Sequence, residues 1–498
     1  MSSPTMPGLS KSRFLSGLQC PRQLWWRVHE PDAPELVPGP ELEALLAQGR
    51  RVGEAARARF PGGVLVEGGR REVRERVERT RRALAEGAPA IFEASFLEDG
   101  VFVAADVLER LDRGFALVEV KSTLEVKPVH LPDVAVQIHV LRRAGIEVAR
   151  AEVMHLNRAC RHPDLSNLFV REEVGREAEL VLPILPERIR SLRTALAGPL
   201  PEAEVGPRCS DPYECPFMLR CWSRPDDRVT RLHGLRRARV EDLLEAGIET
   251  IGQLPEDLDL QPAAARQARS ARTGELVVEE GLARALAVVQ APVAFLDFET
   301  VAPAIPAWPG CRPYETVPVQ MSCHLQEADG RLVHHSHLAE GPGDPRPAVA
   351  AAVVRACVGA ATVLAYHAPF ERRCLEHLAS AVPGLAPLLR GVAGRMVDLL
   401  PLVRNHVYHP GFAGSFSIKK VLPALVPGLG YDDLAIADGA VASARLQALL
   451  LDEASVPPAE REPLRRALLA YCERDTLGMV RLVERLRALA GTAATGSR

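Results

Sequence analysis

Residues 91–122 contain IFEASFLEDG (91–100), VFVAADVLER (101–110) and FALVEVKS (115–122), three short apolar segments separated by Asp99-Gly100 and Arg113-Gly114. Segments of this length and composition, punctuated by turn residues, read as a meander of strands. Outward from it the period changes. From Glu41 to Phe60, apolar residues recur at helical spacing (Leu42, Leu45, Leu46, Val52, Ala55, Ala56) and stop at Pro61-Gly62-Gly63. Arg70 to Glu86 is a helix of Arg and Glu, read as a solvated face with phosphate contact as the lesser reading. On the other side Leu131 to Ala144 reads as a helix, AEVMHLN (151–157) as a strand and Glu187 to Leu196 as a helix. Helices flanking a mixed sheet make this region α/β.

The 498 residues exceed one hydrophobic core, and 47% hydrophobic with 25% charged residues is an ordinary globular composition. No stretch is long and apolar enough to span a membrane, and the first eighteen residues lack the apolar core of a signal peptide, so a cytoplasmic protein is expected. The net charge of −3 carries no global nucleic-acid signature, although the first 90 residues hold fifteen Arg and Lys against eleven Asp and Glu. Only five residues are lysines, which makes each worth inspecting. Six of the ten cysteines (Cys160, Cys311, Cys323, Cys357, Cys374, Cys472) are scattered singly among apolar residues and read as small buried hydrophobes.

Three domains are expected. Residues 1–228 hold the meander and end in a cysteine-rich loop and a linker at Pro225-Asp226-Asp227. Residues 229–290 form a helical connector. Its turn Ala246-Gly247-Ile248 is of the kind that brings backbone amides to a phosphate, and a polar helix runs from Gln261 to Val289. Residues 291–498 open a second α/β pattern with VAFLDFET (293–300), and the Pro-rich stretch 301–318 reads as a loop.

Hydrolysis of a phosphodiester with divalent metals needs carboxylates fixed on strands and a lysine to orient water or offset charge. VAADVLER supplies Asp106; FALVEVKS supplies Glu119 and Lys121 on one strand face. Glu93, one strand earlier, is placed to join them. A second Glu-x-Lys at Glu125 and Lys127 lacks the preceding apolar strand. The order is Glu54 on a helix, Asp106 on a strand, Glu119-Val120-Lys121 ending the next, then Gln137 on a helix. It resembles the PD-(D/E)XK nucleases, and more closely their RecB-like branch. The resemblance implies a restriction-endonuclease-like fold with Asp106, Glu119, Lys121, Gln137 and Glu54 catalytic, and Asp106 and Glu119 on metal. Here Gln137 is followed by Leu141 where that family commonly has Tyr, and Glu54 stands where some members use His.

Cys209, Cys215 and Cys221 recur as Cys-x5-Cys-x5-Cys in a Pro-rich loop, PRCSDPYECPFMLRCW (207–222), and Cys20 lies in FLSGLQCPRQLWW (14–26). Four soft thiolates fit zinc or an iron–sulfur cluster, and spacing alone does not choose. One Cys before the nuclease core and three after it, the last followed by Trp222, resembles the iron–sulfur RecB-like exonucleases, including those associated with CRISPR loci. That implies a structural 4Fe-4S cluster joining the two ends of the domain. The family usually runs Cys-x2-Cys-x5-Cys, narrower in its first gap.

In the last third, VAFLDFET puts Asp297 and Glu299 on one face, and VLAYHAPFERRCL (363–375) carries Glu371 at a helix start. LLAYCERDTLGMVRLVERL (468–486) puts Tyr471 and Asp475 on one side of a helix. In this order they resemble the DEDD exonucleases of the RNase H-like fold, which implies metal on Asp297, Glu299 and Asp475 and Tyr471 positioning water. Glu371 stands where Asp is usual, with Asp398 as a substitute. The stretch from DFETVAPAIP to YCERDT also resembles an uncharacterised bacterial domain found C-terminal to RecB-like nucleases. Lys419 and Lys420 are candidates for phosphate contact or a plain surface pair. Trp308 and Tyr314 are candidates for stacking a terminal base, or for covering the core.

The expectation is therefore a nuclease using Mg2+ or Mn2+, acting on DNA rather than RNA, exonucleolytic on single-stranded ends. The alternatives are an RNA-processing exonuclease, or a nucleic-acid-binding scaffold with one or both sites inactive.

Overall fold

A computed structural model describes residues 8–69, 72–221 and 228–495, and these are mixed α/β. Trp222 and the expected linker Pro225-Asp226-Asp227 lie outside the described residues. No helix among the described residues is long and apolar enough to cross a membrane. The chain divides into two compact units: Met1–Ser223 with Pro303–Glu315, and Arg224–Ala302 with Thr316–Arg498.

The first unit is built on a seven-stranded mixed sheet of β1 (Leu9–Ser10), β2 (Val64–Leu65), β3 (Ala90–Glu98), β4 (Val101–Arg110), β5 (Phe115–Lys121), β6 (Val148–Leu156) and β7 (Phe169–Glu173). Its order is β2-β3-β4-β5-β6-β7, with β1 added parallel to the start of β4. The meander β3-β4-β5 is antiparallel. β6 runs parallel to β5 and so requires a crossover.

The helices are α1 (Lys11–Gln19), α2 (Pro21–His29), α3 (Pro40–Arg57), α4 (Val73–Ala85), α5 (His130–Arg143), α6 (Gly175–Glu179), α7 (Leu185–Ala197) and α8 (Met218–Cys221). The crossover is α5, whose Val134, Ala135, Ile138 and Leu141 are buried in one core with Ile91, Val103, Leu117 and Val153. On α3 the buried residues are Val52 and Ala56, which join smaller clusters beside this core. Leu42, Leu45 and Leu46, read from periodicity as core-facing, are exposed.

Within β3 the ladder skips Glu93, which takes a left-handed φ of 55° between the Phe92–Val107 and Ala94–Ala105 pairs. A non-glycine residue there carries strain of about 1 kcal/mol.

The second unit has β8 (Val277–Val278), β9 (Val293–Val301), β10 (Val317–Gln326), β11 (Leu332–Leu338), β12 (Thr362–Ala365), β13 (Met396–Asp398) and β14 (Val407–Tyr408). Five of them form a sheet in the order β11-β10-β9-β12-β13, antiparallel on the β10 side of β9 and parallel on the β12 side. β8 pairs separately with β14.

Its helices are α9 (Arg237–Glu245), α10 (Pro262–Thr273), α11 (Leu282–Leu286), α12 (Arg346–Ala356), α13 (Ala368–Ala381), α14 (Ala386–Gly394), α15 (Leu399–His406), α16 (Ile418–Leu425), α17 (Gly439–Leu451) and α18 (Pro458–Thr495). Alternation along β9 sends Ala294, Leu296 and Phe298 into the core shared with α12–α14. The opposite face presents Asp297 and Glu299.

Three expectations change. The connector lies within the second unit, where Val229, Leu243, Ile251 and Ala264 form a small core. Its supposed single helix 261–289 breaks at Gly274, whose φ of 72° caps α10. The Gly247 and Ile248 amides are not offered to a phosphate, because they donate to the Leu244 and Leu243 carbonyls that end α9. Finally, 303–315 belongs to the first unit. Ala304 N donates to Gln48 Oε1 (2.8 Å), His162 N donates to Cys311 O (3.0 Å), and Trp308 is only 2% exposed, which removes it as a base-stacking surface.

Candidate metal and catalytic sites

In the first unit β5 ends at the site. Glu119, 2% exposed, is the acceptor around which the other groups collect. Lys121 Nζ donates to Glu119 Oε1 (2.7 Å) and to Asp133 Oδ2 (2.5 Å). Gln137 Nε2, one turn beyond Asp133 on α5, donates to Glu119 Oε2 (2.7 Å). A second lysine completes the set: Lys11 Nζ donates to Glu119 Oε1 (2.8 Å) and lies 3.2 Å from Asp133 Oδ1. Asp106, half-buried on β4, accepts the Val120 amide (2.7 Å).

The charges sort the acids. Burial and the neighbouring Glu119 push Asp106 up to about 7, against Lys11 and Lys121. Burial opposes ionisation of Glu119 too, but the two ammonium groups win and hold it well below the usual carboxylate range. Burial and Glu119 raise Asp133.

Gln137 Oε1 is buried with no partner, a polar atom left for a ligand. Glu54 is not brought in: it is exposed on α3 and makes no hydrogen bond or ion pair among the described residues. Glu93 turns to Arg57 (3.4 Å) and Arg76 (3.3 Å). The second Glu-x-Lys is spent elsewhere, Glu125 pairing with Arg158 at 2.8 Å. Tyr314 Oη donates to the Ser122 carbonyl (2.7 Å), just past the end of β5.

The residue before Cys20 is tied to the late loop, Gln19 Nε2 donating to the Arg208 and Tyr213 carbonyls. Cys20 is the residue before α2. Cys215 N donates to Cys209 O (2.8 Å), and burial together with the nearby Cys20 and Cys209 raises the Cys215 thiol. Arg22 Nη1 is 3.8 Å from Cys221 Sγ. Arg27 has its buried Nε without a partner, and Cys215 acts on its charge. Trp26, Ala33 and Phe217 pack with Cys215 and Cys221. This donor set fits an anionic metal–thiolate group: sulfur ligands, two guanidinium groups beside them and an apolar shield. Among the described residues, the sets of three ligating atoms lying within 4.8 Å of one another do not include these cysteines.

In the second unit, Asp297 and Glu299 on β9 meet Asp475 and Tyr471 from α18 and Glu371 from the first turn of α13. Ligand atoms of Asp297, Glu299 and Cys472 come within 4.8 Å of one another, and Cys472 Sγ donates to Asp297 Oδ2 (3.5 Å). Tyr431 Oη donates to Asp475 Oδ1, and the Asp475 charge acts on the neighbouring Tyr471. Burial and mutual repulsion raise Asp297 and Glu299 well above the carboxylate range. Burial lifts Asp475 to about 6 against its hydrogen bonds and Lys419. Burial, with Asp398, lifts Glu371 to about 8.

Glu371 Oε2 is buried and unpartnered. Asp398 is occupied as the cap of α15, accepting Leu400 N (3.1 Å). Lys419 sits 5.4 Å over the Tyr471 ring and pairs with Asp438 at 3.2 Å; Lys420 is exposed. Four clustered carboxylates, three of them buried, with only Lys419 and Arg373 acting against their charge, are stable only with protons or cations added, and oxygen donors suit Mg2+ or Mn2+.

Lys11, Asp133, Tyr431 and Cys472 were not read from the sequence. Cys472 had a signal: it lies three residues before Asp475 on the helix face that Tyr471 and Asp475 share. Scarcity of lysine pointed at Lys11 without a location.

A family model described as a domain of unknown function, DUF2779, matches residues 294–417. No curated protein matches the chain. No solved structure does so either.

Proposed function

We propose that the protein is a metal-dependent nuclease that hydrolyses DNA phosphodiesters, exonucleolytically on single-stranded ends, with a nuclease-type site in each unit. The observation that carries this reading is the clustering of Asp297, Glu299, Glu371 and Asp475, the last three buried, with too little positive charge to hold them ionised. A five-stranded mixed sheet with acids at its centre supports an RNase H-like second unit. An antiparallel meander crossed by α5 supports a restriction-endonuclease-like first unit.

Mg2+ or Mn2+ held by Asp297, Glu299 and Asp475 would supply an activated water and stabilise the leaving oxygen. Tyr431 orients Asp475 by a hydrogen bond, Cys472 does the same for Asp297, and Tyr471 would position the water. In the first unit Asp106 and Glu119 are the ion-holding pair, Lys121 offsets charge developing on the phosphate, and Gln137 keeps Glu119 and Asp133 in place. Cys20, Cys209, Cys215 and Cys221 would hold a structural 4Fe-4S cluster. Four soft thiolates with Arg22 and Arg27 beside them support an anionic metal–thiolate group at this place.

One observation favours a second reading for the first unit alone. Glu119 already accepts from Lys11, Lys121 and Gln137, so that unit binds nucleic acid while the second cuts. Labelled single- and double-stranded DNA and RNA, incubated with Mg2+ or Mn2+ and wild type, Lys121→Ala, Asp297→Ala or the double variant, separate the cases. Cleavage surviving in all variants overturns the proposal; cleavage lost only with Asp297→Ala selects the second reading.

A further inference from the structure

The edge of the five-stranded sheet carries a different donor set. His324 on β10 stands directly across from His334 on β11, the rings stacked 4.4 Å apart. Glu473 on α18 brings Oε1 to 3.7 Å from His334 Nδ1. One ligating atom from each of the three lies within 4.8 Å of the other two. The remaining ring nitrogens are held by hydroxyls: His324 Nδ1 against Thr476 Oγ1 (2.8 Å) and His334 Nε2 against Ser322 Oγ (2.9 Å). Those hydroxyls are themselves 2.8 Å apart. An oxygen partner on the second nitrogen fixes the tautomer and orientation of a metal-binding imidazole. It leaves His324 Nε2, His334 Nδ1 and the Glu473 carboxylate for a ligand. Arg481, the cation acting on His324, is paired with Glu484 at 2.9 Å.

We propose that His324, His334 and Glu473 form a transition-metal site of the Zn2+ type, separate from the oxygen-only cluster around Asp297. Two imidazoles and one carboxylate prefer zinc over magnesium and leave coordination open to water. The ion fastens edge strand β11 to α18 within a turn of Asp475, and so steadies the helix that carries Tyr471 and Asp475. With His334 27% and Glu473 48% exposed, an ion enters from solvent. The proposal does not depend on nuclease activity.

The test uses the full chain, stripped by chelator and then held in saturating Mg2+. Zn2+ is titrated against a competing indicator for wild type, His334→Ala and Glu473→Gln, both substitutions lying at the surface. Wild type is expected to bind one more Zn2+ than either variant, to melt higher with Zn2+ where His334→Ala does not, and to give a Co2+ difference spectrum without sulfur charge-transfer bands. Equal stoichiometry and equal melting shifts in wild type and His334→Ala overturn the site. Loss of that Zn2+ in Asp297→Asn also overturns it, by assigning the ion to the carboxylate cluster.

Discussion

Lys11 Nζ lies 2.8 Å from Glu119 Oε1, across 108 positions of sequence. The contact exists because β1, two residues long, pairs with the start of β4 and leaves Lys11 to open α1 beside the end of β5. Lys11 thus holds the place of a cation on Glu119. Replacing it by methionine leaves Glu119 and Asp133 short of positive charge. The metal-free variant is expected to be destabilised by about 3 kcal/mol, as for a buried ion pair that loses one partner. Mn2+ is expected to raise the melting temperature more in Lys11→Met than in wild type. Equal Mn2+ shifts in the two proteins would show that no ion competes with Lys11.

The second-unit acids make a prediction about pH. Glu371 at about 8 and Asp475 at about 6 sit above the usual carboxylate value, as do Asp297 and Glu299. The folded chain therefore retains protons that the unfolded chain releases. The stability they contribute is full below about pH 4 and is lost as pH rises through 6 to 8. Asp106, at about 7, adds to the loss. Glu119, held low, contributes with the opposite sign, and its contribution falls away only in acid, outside this window. In chelator, melting temperature should fall from pH 6 to pH 8; in Mg2+ the slope should flatten. Glu371→Gln should raise the chelator melting temperature at pH 8 by a few degrees, about 2 kcal/mol. An unchanged slope in that variant would refute the assignment.

The cysteines give a test that needs no substrate. Anaerobically purified protein should be brown, with broad visible absorption that Cys215→Ala abolishes. Because Cys20 precedes α2 and Gln19 Nε2 donates to the Arg208 and Tyr213 carbonyls (2.8 and 2.6 Å), the cluster and this contact fasten the same segments. Cys20→Ala should open the 199–221 loop to proteolysis. A colourless protein with stoichiometric zinc would replace iron by zinc in the same thiolates.

What the sequence disclosed follows from how local the signals are. Strands β3 to β5 and the pairing of Asp297 with Glu299 on one face depend on alternation and turn residues within about thirty positions. Glu119 and Lys121 are two apart on one strand, and Tyr471 and Asp475 four apart on one helix. Lys11 was hidden because its place depends on a two-residue strand pairing with β4. Asp133 carries no motif of its own in the first turn of α5, and only the fold turns it toward Lys121. Tyr431 comes from a loop with no periodicity. The run 303–315 follows directly on β9, so linear order assigned it to the second domain. Its contacts with Gln48, Ser122 and His162 place it in the first unit.

Tyr431 carries the last prediction. Its hydroxyl donates to Asp475 Oδ1, so it favours the ionised carboxylate that a metal needs, while burial works the other way. A hydrogen bond to a charged acceptor is worth roughly 1.5–3 kcal/mol, which corresponds to one to two pH units. Tyr431→Phe should therefore move the acid limb of the second-unit pH–rate profile upward by about one unit, with little change above pH 9. Tyr471 keeps its place beside Asp475 in that variant. The loss should thus appear as a shifted limb and a raised Mg2+ requirement rather than as abolition. A uniform drop in rate at every pH, with the limb in place, would assign Tyr431 to packing instead.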